Sequence, residues 1–304
     1  MRGLDPRIHP FARKTDGRVK PGHDAVRESG LMSAPLIFDS VTVFPPQARG
    51  HAALGASHGG VYAAYCAAKA GVKAVILCDA GVGRERAGIG GLGYLETLGV
   101  AAATIGHRSA RIGDGADCFA RGLISHVNSR AATAGVAPGM NVNEALERLE
   151  RADGAPLPAP PAMHETRHEI SEADGVRVFT LDSNAGVTPD DVGHIIVTGS
   201  HGGLLGGRAA TAVKYDVFAA LYNDADFGAD DAGISRLPAL DARGIAGATV
   251  SVWSARIGDG QSTYRDGFIT AVNARAAACG GEIGISAIEL VARLVAARVK
   301  ELKT

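Results

Sequence analysis

The heptapeptide Ser109-Ala110-Arg111-Ile112-Gly113-Asp114-Gly115 recurs unchanged as Ser254 to Gly260, 145 residues further along the chain. The same spacing sets Asp79 on Asp224, Gly88-Ile89 on Gly233-Ile234 and Asn128 on Asn273. From Leu77 to Gly135, roughly 27 of 59 positions equal their partners, which points to duplication rather than coincidence. Upstream the spacing becomes 143, placing Gly50-His51 on Gly193-His194 and Ser57-His58-Gly59-Gly60 on Ser200-His201-Gly202-Gly203. Further upstream, Asp39 to Phe44 echoes Asp174 to Phe179. The expected organisation is a first α/β repeat over 36–150 and a second over 173–304.

Residues 151–172 read as a linker, because Pro156, Pro158, Pro160 and Pro161 block helix and sheet pairing. His164, Glu165, His168 and Glu169 follow closely, but the other half has no counterpart, so they are expected to be a solvated connector rather than a metal site. Residues 1–31 hold seven basic residues and no apolar periodicity or secretory core. They resemble translated repetitive intergenic DNA, a reading in which translation begins at Met32 rather than Met1. A disordered basic arm is the alternative, and either way the stretch is excluded from the fold.

Within each half, short apolar runs end in glycine loops and alternate with helical segments. Ala52 to Ala56 and Ala74 to Cys78 read as strands, Val61 to Ala70 as a helix closed by Gly71, and Val100 to Ile105 as a further strand. Helices are expected at Leu92 to Leu98, Phe119 to Ala134, Val142 to Leu149 and Ser286 to Lys300, with the second half repeating the first. The pattern predicts an internally duplicated α/β protein with two pseudo-symmetric three-layer α/β/α halves and mainly parallel sheets. Forty-one glycines and 5% aromatic residues suit tight turns and closely packed helices. A net charge of -1 provides no basic field for nucleic acid, and no run is apolar enough to span a membrane. Cys66, Cys78, Cys118 and Cys279 have neither metal-ligand spacing nor a disulfide framework, so reduced thiols and a cytoplasmic location are expected. Cys78 is assigned to strand packing.

Three repeated polar motifs fall at the carboxyl ends of strands, where ligands bind in parallel α/β sheets. In Ser-His-Gly-Gly, the serine is a candidate nucleophile and the histidine a candidate base. Gly59, Gly60, Gly202 and Gly203 are expected to form anion-binding nests with positive φ. Asp79 and Asp224 would orient a histidine or cap a loop. In the heptapeptide, Ser109, Arg111, Asp114, Ser254, Arg256 and Asp259 are candidate substrate contacts, since a guanidinium fork suits a carboxylate. The alternative has each arginine bracing its own loop aspartate. Asn128 and Asn273 are expected mid-helix, bonded to a loop. His51 and His194 open their strands, over about 20 Å from the loop histidines, and are expected to be structural.

The motif set predicts an enzyme, with Ser57, His58, Asp79, Ser200, His201 and Asp224 as catalytic candidates. A hydrolase of a small carboxylated amide, ester or cyclic imide is favoured. The alternatives are an isomerase or racemase using His58 and His201 from opposite sides, or a non-catalytic anion-binding protein. No cofactor is predicted, a divalent metal is possible, and a homo-oligomer is possible. The partner is a small anionic substrate rather than nucleic acid or membrane. Adjacent Ser and His rarely aim at one another, so a triad would need residues from different halves.

Overall fold

The structure, a computed structural model, describes residues 34–153 and 159–304. The expected N-terminal extension, 1–31, and the linker prolines Pro156 and Pro158 lie outside the described residues.

Runs of three to seven residues, mostly apolar and too short for buried helices, build two sheets. The first holds β1 (Leu36–Phe38), β2 (Ala52–His58), β3 (Ala74–Cys78), β4 (Ala101–Ile105) and β5 (Ile124–Val127), in that order. Strands β1 to β4 are parallel and β5 is antiparallel. Between them lie α1 (Val61–Ala70), α2 (Gly90–Leu98) and α3 (Gly115–Arg121). Two further helices, α4 (Ser129–Thr133) and α5 (Val142–Arg151), follow β5.

The second sheet holds β6 (Arg167–Ala173), β7 (Val176–Leu181), β8 (Ile195–His201), β9 (Ala219–Asn223), β10 (Ala246–Val250) and β11 (Ile269–Val272). Its helices are α6 (Arg236–Asp241), α7 (Gly260–Asp266), α8 (Ala274–Ala278) and α9 (Ala287–Leu302). Strands β7 to β10 are parallel, whereas β6 and β11 are antiparallel edges. The fold is therefore mixed α/β with two mostly parallel sheets.

Alternation along each strand divides the core. Ala53, Val75, Leu77 and Ala102 face α1 and α2, whereas Leu54, Ile76, Cys78 and Ile105 face α3 and α5. The latter cluster continues into Ala225, Ala232, Val252 and Ile257 of the second half, so apolar packing passes directly between the sheets.

Four expectations need correction. The helix expected over Phe119 to Ala134 is broken by β5. Gly122 turns extended after α3, and Ile124 and Val127 then satisfy the otherwise open edge of β4. Asn128 is consequently not mid-helix but caps α4, accepting from Ala131 N at 3.0 Å, and Asn273 caps α8 likewise. The alanine-rich α1 has no helical counterpart, because Gly206 and Gly207 adopt positive φ and leave only short 3-10 turns between Leu205 and Thr211. Finally, Arg167–Ala173 of the expected linker is strand β6.

Strand register also moves one match. Phe38 pairs with Gly55 and Leu181 with Thr198, so Asp39-Ser40 corresponds to Asp182-Ser183. Asp174, the residue first matched to Asp39, sits in the tight turn between β6 and β7.

Candidate functional site

His58 and His201 end β2 and β8 and line a single cavity of about 150 Å³ between the halves. Ser57 and Ser200 line it too, so the two Ser-His-Gly-Gly loops share one site. Each imidazole folds back onto its own loop. Gly60 N donates to His58 Nδ1 at 3.2 Å, and Gly203 N donates to His201 Nδ1 at 3.1 Å. A Cβ on Gly60 would lie 2.8 Å from His58 Nδ1, and one on Gly203 would lie 2.9 Å from His201 Nδ1. The glycines are therefore needed for space. None of the four has positive φ. Their N–H groups are all spent on protein acceptors, Gly59 on Cys78 O and Gly202 on Asn223 O, so the expected anion nest does not form.

With Nδ1 accepting a hydrogen bond from the backbone, each neutral imidazole carries its own proton on Nε2. Neither Nε2 finds a protein partner among the described residues. Burial pushes His58 down to about 4. Burial, the Arg236 charge and His58 together hold His201 well below the usual histidine range. Both rings are therefore held in the neutral form, each with its Nε2–H free of the loop that holds Nδ1. The heptapeptide of the opposite half closes over each ring. A Cβ on Gly258 would stand 3.2 Å from His58 Cε1, and one on Gly113 would stand 3.2 Å from His201 Cε1.

The serines are held by the preceding loops. Ser57 Oγ accepts from Val41 N at 3.0 Å, and Ser200 Oγ accepts from Asn184 N at 2.8 Å. Neither hydroxyl bonds a histidine, so the expected nucleophile and base are not paired.

The other repeated residues join the two halves elsewhere. Asp79 Oδ1 accepts from His107 N and Nδ1, both at 2.9 Å, while His107 Nε2 lies 3.0 Å from Asp226 Oδ2. The Asp79 hydrogen bond raises the His107 pKa against its burial. Asp224 instead accepts from Val252 N and Asp226 N, both at 2.9 Å, and its pKa is raised by burial. Ser109 and Ser254 brace their loops, donating to Gly106 O and Ser251 O. Asp114 and Asp259 cap α3 and α7. Arg111 pairs with Asp230 at 2.9 Å and also reaches Asp114 and Asp117; Arg256 pairs with Asp259 at 2.9 Å and Glu85 at 3.2 Å. Both arginines are committed to carboxylates, and neither lines the cavity. His51 bonds Glu150 at 3.0 Å and His194 accepts from Arg177 N at 3.3 Å, both away from the cavity.

Sequence reasoning missed several lining residues. Glu165, set aside with the linker, lines the cavity, and burial and the nearby Asp182 raise its pKa. His164, His168 and Glu169 of the same cluster are exposed. Asp182 and Ser183 become visible only when the spacing of 143 is carried past the strand. Tyr62 and Cys66 extend the lining from α1. Arg236 was hidden because Gly91 occupies its partner position, so matching the copies discarded it. Among the described residues, no group of three or more His, Cys, Asp or Glu is placed to hold a metal ion, and no helix is long and apolar enough to cross a membrane.

Fold and site together define a mixed α/β protein with one cavity built by loops from both sheets. Compared with known proteins, the chain matches no family model, no curated protein and no solved structure.

Proposed function

We propose that this chain is an enzyme of carbonyl chemistry, moving a proton on and off the carbon beside the carbonyl of a small molecule, as an isomerase or racemase does. The observation that carries this is the presence of His58 and His201, from corresponding loops, in one cavity with Nδ1 of each already occupied. Two fixed Nε2–H donors suit an oxygen on which negative charge develops, because they need no reorganisation as the charge appears. Glu165 is the base: its raised pKa brings a carboxyl group nearer to neutrality, where proton exchange is most effective. The two halves act as copies about a pseudo-two-fold axis. In support, Arg84 N donates to Val252 O while Ala229 N donates to His107 O, at 2.8 and 2.7 Å.

Hydrolysis is the second reading. The same donors would hold the oxygen of a tetrahedral intermediate, with Glu165 activating water instead of a serine acting as nucleophile. The partner is a small molecule in the reducing cytoplasm, supported by four unpaired thiols that include Cys78 and Cys118 only 3.7 Å apart.

Proton NMR in deuterium oxide tests both readings on a panel of small oxo, hydroxy and amide compounds. Solvent deuterium should enter the carbon beside the carbonyl. Replacing either His58→Phe or His201→Phe should slow exchange by about 10² to 10³-fold, the usual cost of one oxyanion donor. Loss from either variant alone identifies one composite site. An acyl adduct on Ser57 or Ser200, detected by intact mass, with turnover abolished in Ser57→Ala or Ser200→Ala, would replace this assignment with a serine hydrolase.

A further inference from the structure

Arg236 opens α6 and is only 3% exposed, yet it has no carboxylate partner among the described residues. Its Nε donates to His201 O at 3.2 Å, Nη1 donates to Thr211 O and Ala212 O, and the guanidinium stacks 5.1 Å from the Tyr222 ring centroid. Neutral carbonyls position the fork but leave a full positive charge buried and unbalanced. Burial makes its charged form costlier, and Tyr222 beside it, whose pKa burial pushes up to about 12, is neutral at pH 7. Arg236 lines the same cavity as the two histidines. This is unlike Arg111 and Arg256, whose forks are already occupied on the surface.

A second feature restricts what can balance that charge. Glu165 and Asp182 also line the cavity, and each lacks a cationic partner among the described residues. Glu165 is raised by burial and by Asp182, whereas neither carboxylate contributes to the environment of Arg236. Arg236 and the two carboxylates therefore line one cavity without pairing with one another. A cavity of about 150 Å³ accepts a ligand close to benzene in size.

We infer that the cavity binds small monocarboxylates, with the carboxylate on Arg236, and that Glu165 and Asp182 select against a second negative charge. The inference rests on the cavity being the site proposed above. It replaces Arg111 and Arg256 with Arg236 as the anion-binding residue. A monocarboxylate neutralises the buried Arg236 charge, whereas a dicarboxylate or phosphate brings surplus charge to a cavity that Glu165 and Asp182 also line.

Calorimetric titration of the intact chain tests this with propionate, lactate and pyruvate against malonate, succinate and inorganic phosphate. The monocarboxylates should bind, and the dianions at least about tenfold more weakly. Arg236→Lys keeps a charge but loses the fork, and should weaken monocarboxylate binding by about tenfold or more. Glu165→Gln and Asp182→Asn, outside the packed surroundings of Arg236, should narrow the gap between propionate and malonate. Equal binding of mono- and dianions, or monocarboxylate binding unchanged in Arg236→Lys, overturns the inference. Monocarboxylate binding without deuterium exchange overturns the proposed reaction and leaves this inference standing. Exchange confined to uncharged carbonyl compounds does the reverse.

Discussion

At the scale of single residues, burial decides which state of a group the protein can use. His58 titrates near 4 in the folded chain and near 6.5 when unfolded. Between those values the unfolded chain holds a proton that the native chain lacks, so stability must fall as pH drops through that window. The slope is about 1.4 kcal/mol per pH unit for one such histidine, and His201 acts in the same direction. His107 is raised instead, so its contribution is present below 6.5 and is lost as pH climbs through its folded value. Urea unfolding across pH 4 to 7 should therefore show acid lability that weakens in His58→Phe. A slope unchanged by that substitution would count against a neutral buried imidazole. Arg111→Met provides the contrasting case. Its side chain is 46% exposed and its shortest ion pair is to the exposed Asp230, so the expected loss is under about 1 kcal/mol with turnover retained. The repeated motifs were legible because two copies shared them. Arg236 was not, because a buried cation becomes informative only once its missing partner is seen.

At the scale of the element, strand ends place the histidines and the loop glycines fix how each ring lies. Gly60 has φ -71, which alanine adopts freely, so Gly60→Ala tests space alone. The added methyl must displace the imidazole that accepts from the same residue. We expect a stability loss of about 1–3 kcal/mol by thermal denaturation and a fall in turnover matching that of His58→Phe. A fully active Gly60→Ala would show that the ring position does not matter. The missing counterpart of α1 has a related physical basis. Alanines after Gly60 favour a helix, whereas Gly206 and Gly207 take left-handed backbone that a helix excludes. Strand β5 was hidden because Ile124 to Val127 is too short to oppose the helical pattern around it. Its pairing with β4 is a long-range contact that local periodicity does not contain.

At the scale of the whole molecule, the halves share a core through Val252 and Ile257 and share a cavity through both histidines. His107 adds an ionic bridge between Asp79 of one half and Asp226 of the other. Residues with positive φ on both sides of the contact, including Ala80 and Val82 against Ala225 and Asp226, hold these loops in conformations that need the opposite half for support. Unfolding should accordingly be one cooperative transition, with calorimetric and van't Hoff enthalpies equal. Two resolved transitions would mean that the halves are independent domains and that the cavity is a loose junction.

The duplicated polar motifs, the alternating strands and helices and the carboxyl-end placement of the histidine loops were all determined by sequence, because each depends on local patterning or on self-comparison. Tertiary structure alone decided the rest: which motif faces the cavity, which braces the contact, and which nitrogen of each imidazole is free. The first two depend on burial and on partners more than a hundred residues away, and the third on how the second following glycine places its N–H. The motif repetition that revealed the site also concealed its charge, since Arg236, on which the proposed ligand assignment rests, has no counterpart at the matching position, Gly91.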